Sequence, residues 1–367
     1  MISKIPRIQI PIMIGVLLAL LAGLWAGLIR VGWRWPALQP MLPALHGPLM
    51  ISGFLGTLIS LERAVAIKRP YTFIGPVLSG IGAIWLVVGL PIVVGQWLLL
   101  LGSVGLTAVF IQIIRQHTAS YTITMGLGAL CWLVGNGLWL GGWPIFRIVF
   151  WWAGFLVLTI VGERLELSRV ARLSTNTIRL FVAAVALFLA GLLAVLVWGS
   201  FGTRLIGLGL IALAIWLGLF DIARKTVRRA GLTRFIAVNL LLGYGWLLIG
   251  GVTAVWLGQT VAGPRYDFML HAIFVGFVFG MIFAHAPIIL PSVLPIQVRF
   301  HPILYGPTAF LHVALLLRVI GDVGAWQPVR AWGGLLNAVA ILWFMGQMAY
   351  LAATAKRVQE PKDMGHK

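Results

Sequence analysis

"HAIFVGFVFGMIFAH", residues 271–285, decides the fold. Thirteen apolar or glycine residues stand between two histidines, and the apolar run continues on both sides over about 267–290. About 20 such residues carry a helix across a bilayer, so the stretch reads as a membrane span with an imidazole toward each end. Runs of the same kind recur along the whole chain. They fall at 8–30, 42–61, 72–91, 93–114, 119–141, 144–162, 176–199, 203–222, 234–258, 267–290, 302–320 and 328–353.

Composition agrees with twelve spans. Of 367 residues 61% are hydrophobic and 10% charged, and the mean hydropathy is +1.03, which excludes a soluble domain. Lys and Arg number 27 against 8 Asp and Glu, a net +19. This excess does not point to nucleic acid, because the basic residues sit in the short gaps between apolar runs. Arg63, Lys68 and Arg69; Arg115; Arg164, Arg169, Arg172 and Arg179; Arg224, Lys225, Arg228, Arg229 and Arg234; and Arg299 fall in alternate gaps. Lys4, Arg7, Lys356, Arg357, Lys362 and Lys367 flank the ends on the same side. Positive loops mark the cytoplasmic face, so both termini are expected there, in a single all-α polytopic bundle of a bacterial cytoplasmic membrane. No small-residue cleavage site follows MISKIPR, so the first run is expected to stay as a span. Only "GLPIVVGQ" separates the third and fourth runs. Glycine-rich stretches such as "GLGALCWLVGNG" and "GYGWLLIGG" read as close helix packing. Trp33, Trp35, Trp143, Trp198 and Trp326 read as an interfacial belt. Cys131 is the single cysteine, which excludes a disulfide framework and a cysteine metal motif.

Four of the seven histidines, His46, His271, His285 and His312, are intramembrane, where an ionisable group is by default a functional-site hypothesis. His117, His301 and His366 read as solvated loop or tail residues. His271 and His285 are 14 residues apart; at about 100° and 1.5 Å per residue they share one helix face about 21 Å apart. They cannot hold one ion together but suit two sites stacked across the bilayer. Spans 2 and 10 run in the same direction, and His46 and His271 stand at matching depth near the outer face. Two imidazoles facing across a gap can ligate a haem iron axially, with Gly47, Gly53, Gly276 and Gly280 letting a flat macrocycle approach the backbone. His285 and His312 are candidates for a second haem or for copper.

"LHGPLMISGF" (45–54) resembles the early histidine motif of the NnrS family, polytopic haem- and copper-containing membrane proteins associated with bacterial nitric oxide stress. His46, Met50, Gly53 and Phe54 match its H-x-H-E-M-x-x-G-F pattern. Pro48 and Leu49 stand where the pattern has a second histidine and a glutamate. "LHAIFVGFVFGM" (270–281) resembles the late motif through His271, Ala272, Gly276, Gly280 and Met281, with Phe279 in place of a glycine. "LHVALLLRV" and "VGERLELSRV" (161–170) are fainter likenesses. The resemblance implies a bundle carrying haem b on His46 and His271. The missing histidine and glutamate weigh against copper. "HG" followed by methionine in span 2 also resembles the haem-copper oxidases, another twelve-span architecture with histidine ligands in spans 2 and 10, but no "HH" or H-x-H occurs.

Arg265, just before His271, is placed to pair with a haem propionate, and Asp267 to accept the His271 ring proton or cap the helix. Glu62 and Arg63, with Glu163, Arg164 and Glu166, read as interfacial charges whose side chains reach water, or as proton uptake. Three functions follow as expectations. The first is a haem protein that handles nitric oxide or another diatomic gas, as an oxidoreductase, or that moves electrons from quinone or a separate redox protein. The second is a metal or haem transporter using the same histidines, disfavoured by the near absence of acids from the spans. The third is a structural subunit. No catalytic residue is legible.

Overall fold

The computed structural model describes residues 8–169, 172–294 and 296–357. Lys4, Arg7, Lys362, Lys367 and His366 lie outside them. It is 86% helical, and among the described residues there is no strand and twelve helices are long and apolar enough to cross a bilayer. They are α1 (Gln9–Val31), α2 (Leu42–Ile67), α3 (Pro70–Val88), α4 (Ile92–Gln116), α5 (Ser120–Leu140) and α6 (Ile145–Ser168). The chain continues through α7 (Thr175–Val197), α8 (Gly199–Phe220), α9 (Gly231–Leu257), α10 (Pro264–Val293), α11 (Pro302–Val323) and α12 (Gln327–Ala355).

The division between α3 and α4 has a local cause. Gly89 takes a left-handed φ of 82°, and Pro91, with no N–H to give, precedes the first turn of α4. Several boundaries lie outside the hydropathy reading: α2 runs to Ile67 and α6 to Ser168, Pro264 starts α10 at N1, and α11 runs to Val323. Asp267 and Asp322 therefore stand inside spans, as Glu62 and Glu163 do in α2 and α6. The spans are less free of acids than their hydropathy suggests.

Helices consecutive in the chain pack most extensively, α7 on α8, α5 on α6 and α11 on α12. Small residues set their separation. A Cβ on Gly202 of α8 would fall 2.2 Å from the Val195 nitrogen of α7, and one on Gly207 would fall 2.6 Å from the Gly251 carbonyl of α9. The outward faces stay apolar, with Leu193, Val197 and Val313 each more than 60% exposed, as a lipid solvent requires.

α6 is the most enclosed span. Behind it a buried polar cluster joins four helices. Asn136 of α5 accepts from Ser52 of α2 (2.9 Å) and Trp152 of α6 (3.0 Å), and donates to the Leu99 carbonyl of α4 (3.2 Å). Trp132 donates to Ser52 Oγ at 2.9 Å. With no water in the hydrocarbon, such a cluster fixes the depth of α2 relative to α5 and α6. At the basic end Arg164 of α6 forms a bidentate pair with Asp221 (2.8 and 2.9 Å). Their side chains are 4% and 0% exposed. Arg164 is thus a buried structural cation, contrary to its expected place at the water interface; Arg169 and Glu166, 3.5 Å apart and exposed, do hold that position.

α2 and α10 are not regular. Leu49–Gly56 and Ala272–Phe279 are π-helical, a widening in which N–H groups reach back five residues and which occurs often at functional sites. Each begins one to three residues after a histidine, His46 or His271. A uniform 100° step from His271 to His285 therefore does not hold. α10 continues through Pro287 and Pro291 to Val293, so Pro287 does not open it.

Candidate cofactor site

Two cavities lie one above the other inside the bundle, and Leu55, Phe279 and Ile341 line both. The outer one, about 370 Å³, holds His46, Met50, Asp267 and His271. The inner one, about 320 Å³, holds Glu62, Glu163 and His285. Phe54 and Phe279, each eight positions after a cavity histidine, stack at 6.1 Å between them. α10 thus presents His271 to one chamber and His285 to the other.

The outer site begins with the local bonding of two rings. His46 Nδ1 lies 2.7 Å from the Gly23 carbonyl of α1, and His271 Nδ1 lies 2.9 Å from the Asp267 carbonyl one turn back. A carbonyl only accepts, so each ring carries its proton on Nδ1 and keeps a lone pair on Nε2. Histidines that ligate metals are commonly held in this way. The ring centroids are 6.2 Å apart with planes inclined 17°, too far for direct stacking. Two metal–imidazole bonds of about 2.0 Å, plus about 1 Å from each nitrogen to its ring centre, amount to about 6 Å. The structure brings together the two histidines that the sequence sets at equal depth, at a ring-centre separation about equal to that sum.

Glycines on α1 make the space. A Cβ on Gly27 would come within 2.7 Å of His46 Cε1, and one on Gly23 within 2.6 Å of Met50 Sδ. Of the glycines expected to face a macrocycle, Gly47 alone lines the outer cavity, and Gly53, Gly276 and Gly280 do not. Gly276 turns to α9, where a Cβ would meet Trp246 Cγ at 2.3 Å. Gly53 packs on Ala83 and Ala19. Their smallness serves helix packing.

The charges also differ from expectation. Arg265 is exposed, with its guanidinium 5.9 Å from the Trp256 ring, and does not line the cavity. Arg30, Arg318 and Arg330 do. Arg318 of α11 grips Asp267 with two bonds of 2.7 and 2.9 Å, Arg330 Nε is 2.9 Å from Asp322, and Asp267 Oδ1 is 3.3 Å from His271 Nδ1. Three guanidiniums against one lining carboxylate make the outer cavity receptive to an anion. Arg318 carried a sequence signal, a cation amid "LHVALLLRV", that hydropathy alone passes over. Arg30 and Arg330 stand near span ends and look like topology residues until the bundle closes.

His312 joins neither chamber. Its Nδ1 accepts from Trp246 Nε1 at 3.0 Å, which puts its proton on Nε2, and that buried atom has no hydrogen-bond partner. A protonated Nε2 cannot ligate, and His312 is not brought to His285. His285 itself donates Nδ1–H to the Met281 carbonyl at 2.7 Å, leaving Nε2 available. His301 accepts from the Ile303 N–H, and His117 bonds Tyr121.

Fold and site together define a polytopic helical membrane protein with an imidazole pair enclosed near one face. Residues 9–353 match the family described as "Domain of unknown function (DUF8744)", and the chain belongs to that family. No curated protein matches it.

Proposed function

We propose that the chain is a haem-binding membrane protein whose His46 and His271 hold iron between them, and that it serves nitric oxide handling or electron transfer. One observation carries this reading: two near-parallel imidazoles 6.2 Å apart, each with its Nδ1 proton committed to a backbone carbonyl. The outer cavity falls within the roughly 300–1,000 Å³ of cofactor sites, and Arg30, Arg318 and Arg330 supply cations for two propionates. A single cysteine, buried in α5, leaves no pair for thioether attachment, which favours a b-type haem. Among the described residues no group of three or more His, Cys, Asp or Glu could hold a metal ion. Pro48 and Leu49, in place of the two polar residues of the NnrS motif, are the ground for proposing haem rather than copper.

Haem held by His46 and His271 would supply a one-electron couple and a site for a diatomic gas. The protein's own part is to hold and orient. Gly23 and Asp267 fix the two ring tautomers, and Arg318 pins the Asp267 turn from which His271 projects. Leu55, Phe279 and Ile341 separate the site from the inner chamber. The nitric oxide role draws on the resemblance of the motifs around His46 and His271 to the NnrS family.

The test is the reduced-minus-oxidised visible spectrum of the purified protein with a pyridine haemochrome assay, repeated on His46→Ala and His271→Ala. A low-spin b-type spectrum that becomes high-spin or vanishes in both variants is expected. A colourless wild type produced with ample haem would refute the reading. The widened segments of α2 and α10 favour a second reading, transport of metal or haem, since transporter sites are commonly built where helices are interrupted. Flux in vesicles would then accompany the colourless protein.

A further inference from the structure

We infer that the inner cavity binds the reduced, hydroxyl-bearing ring of a lipophilic quinol. Its polar lining consists only of acceptors. His285 keeps a lone pair on Nε2 because Nδ1 donates to Met281. Glu62, 4.0 Å from Arg63, receives no hydrogen bond among the described residues. Thr159 has already given its proton to the Phe155 carbonyl at 2.7 Å, and Glu163 accepts from Arg63. No lysine or arginine lines the chamber, in contrast to the three arginines of the outer one. A haem propionate or a lipid phosphate would meet acidic side chains here, whereas a phenolic hydroxyl would meet two acceptors that receive no hydrogen bond among the described residues, His285 Nε2 and a Glu62 oxygen.

The remaining wall suits a flat ring. Phe283 and Phe344 stack at 3.9 Å and 7°, and Met345 and Met348 complete a polarizable surface beside them. Access is from lipid. Leu17 of α1 and Ala349 of α12 line the cavity and are exposed, and from this we place its mouth between those two apolar helices. An acyl chain would leave both acceptors unmet. The oxidised quinone carries only carbonyls, which would face other acceptors, so the site selects the reduced form.

The inference stands whether or not the outer pair holds haem, and its test reads binding alone. Radiolabelled decyl-ubiquinol, kept reduced, is titrated onto the full chain in nanodiscs with empty discs as the blank. One saturable site per chain is expected, with at least tenfold weaker binding of decyl-ubiquinone. Glu62→Gln and His285→Phe should each weaken it at least tenfold. Leu17→Trp, which sets a bulky ring at the mouth of the cavity, should obstruct entry and weaken binding as well. Absence of saturable binding, equal affinity for the two redox forms, or indifference to all three variants would overturn the proposal. So would saturable binding of Cu(I) through the methionines without binding of the quinol.

Discussion

Gly27→Ala tests the imidazole pair without touching either histidine. The new methyl would stand 2.7 Å from Cε1 and 2.8 Å from Nδ1 of His46, where ordinary contact begins at 3.4 Å. The ring must therefore withdraw by about 0.7 Å, the difference between 3.4 and 2.7 Å, or rotate away from the Gly23 carbonyl that holds it at 2.7 Å. Metal–ligand distances tolerate about 0.2 Å, so the shift exceeds what an axial bond absorbs by roughly threefold. Conversion from low-spin to high-spin haem is expected, read as the loss of the sharp reduced bands and the appearance of a high-spin signal in electron paramagnetic resonance. Folding should survive, because alanine in a helix is favoured over glycine by about 0.5–1 kcal/mol. Gly218→Ala is the control, since nothing lies within 4 Å of a Cβ there. A Gly27→Ala protein with an unaltered low-spin spectrum would show that His46 is not an axial ligand.

Asp267→Asn removes the partner that holds Arg318, leaving a guanidinium only 10% exposed without its bidentate carboxylate. A loss of about 3–5 kcal/mol is expected, measured as a lower midpoint of thermal unfolding in detergent together with weaker haem retention. His312→Ala should leave the visible spectrum unchanged while costing about 1–3 kcal/mol, because the buried Trp246 N–H loses its acceptor; a spectral change would place His312 among the ligands. Asp221→Asn strands the buried Arg164, and a similar loss of about 3–5 kcal/mol should appear in unfolding with no effect on colour.

The architecture was legible because each helix must satisfy its own backbone in lipid and present an apolar surface there. Hydropathy alone therefore located all twelve spans, even the α3–α4 division. Equal depth of His46 and His271 was legible for a related reason: with span direction alternating, distance from a span end measures depth. What lay across the bundle was not legible. Gly276 looked like a place for a flat ligand, yet its neighbour is Trp246 of α9. Arg265, adjacent in sequence to the site, leaves it, while Arg318 and Arg330 arrive from 51 and more residues away.

Sequence by itself determined that this chain is an all-helical membrane bundle with four imidazoles inside it, because lipid constrains composition one helix at a time. Tertiary structure decided which of those imidazoles meet, which nitrogen of each keeps a lone pair, and which chamber is basic and which acceptor-lined. Those properties depend on which helix faces which, and on a backbone carbonyl or a guanidinium delivered by another span, and no periodicity within a single span encodes them.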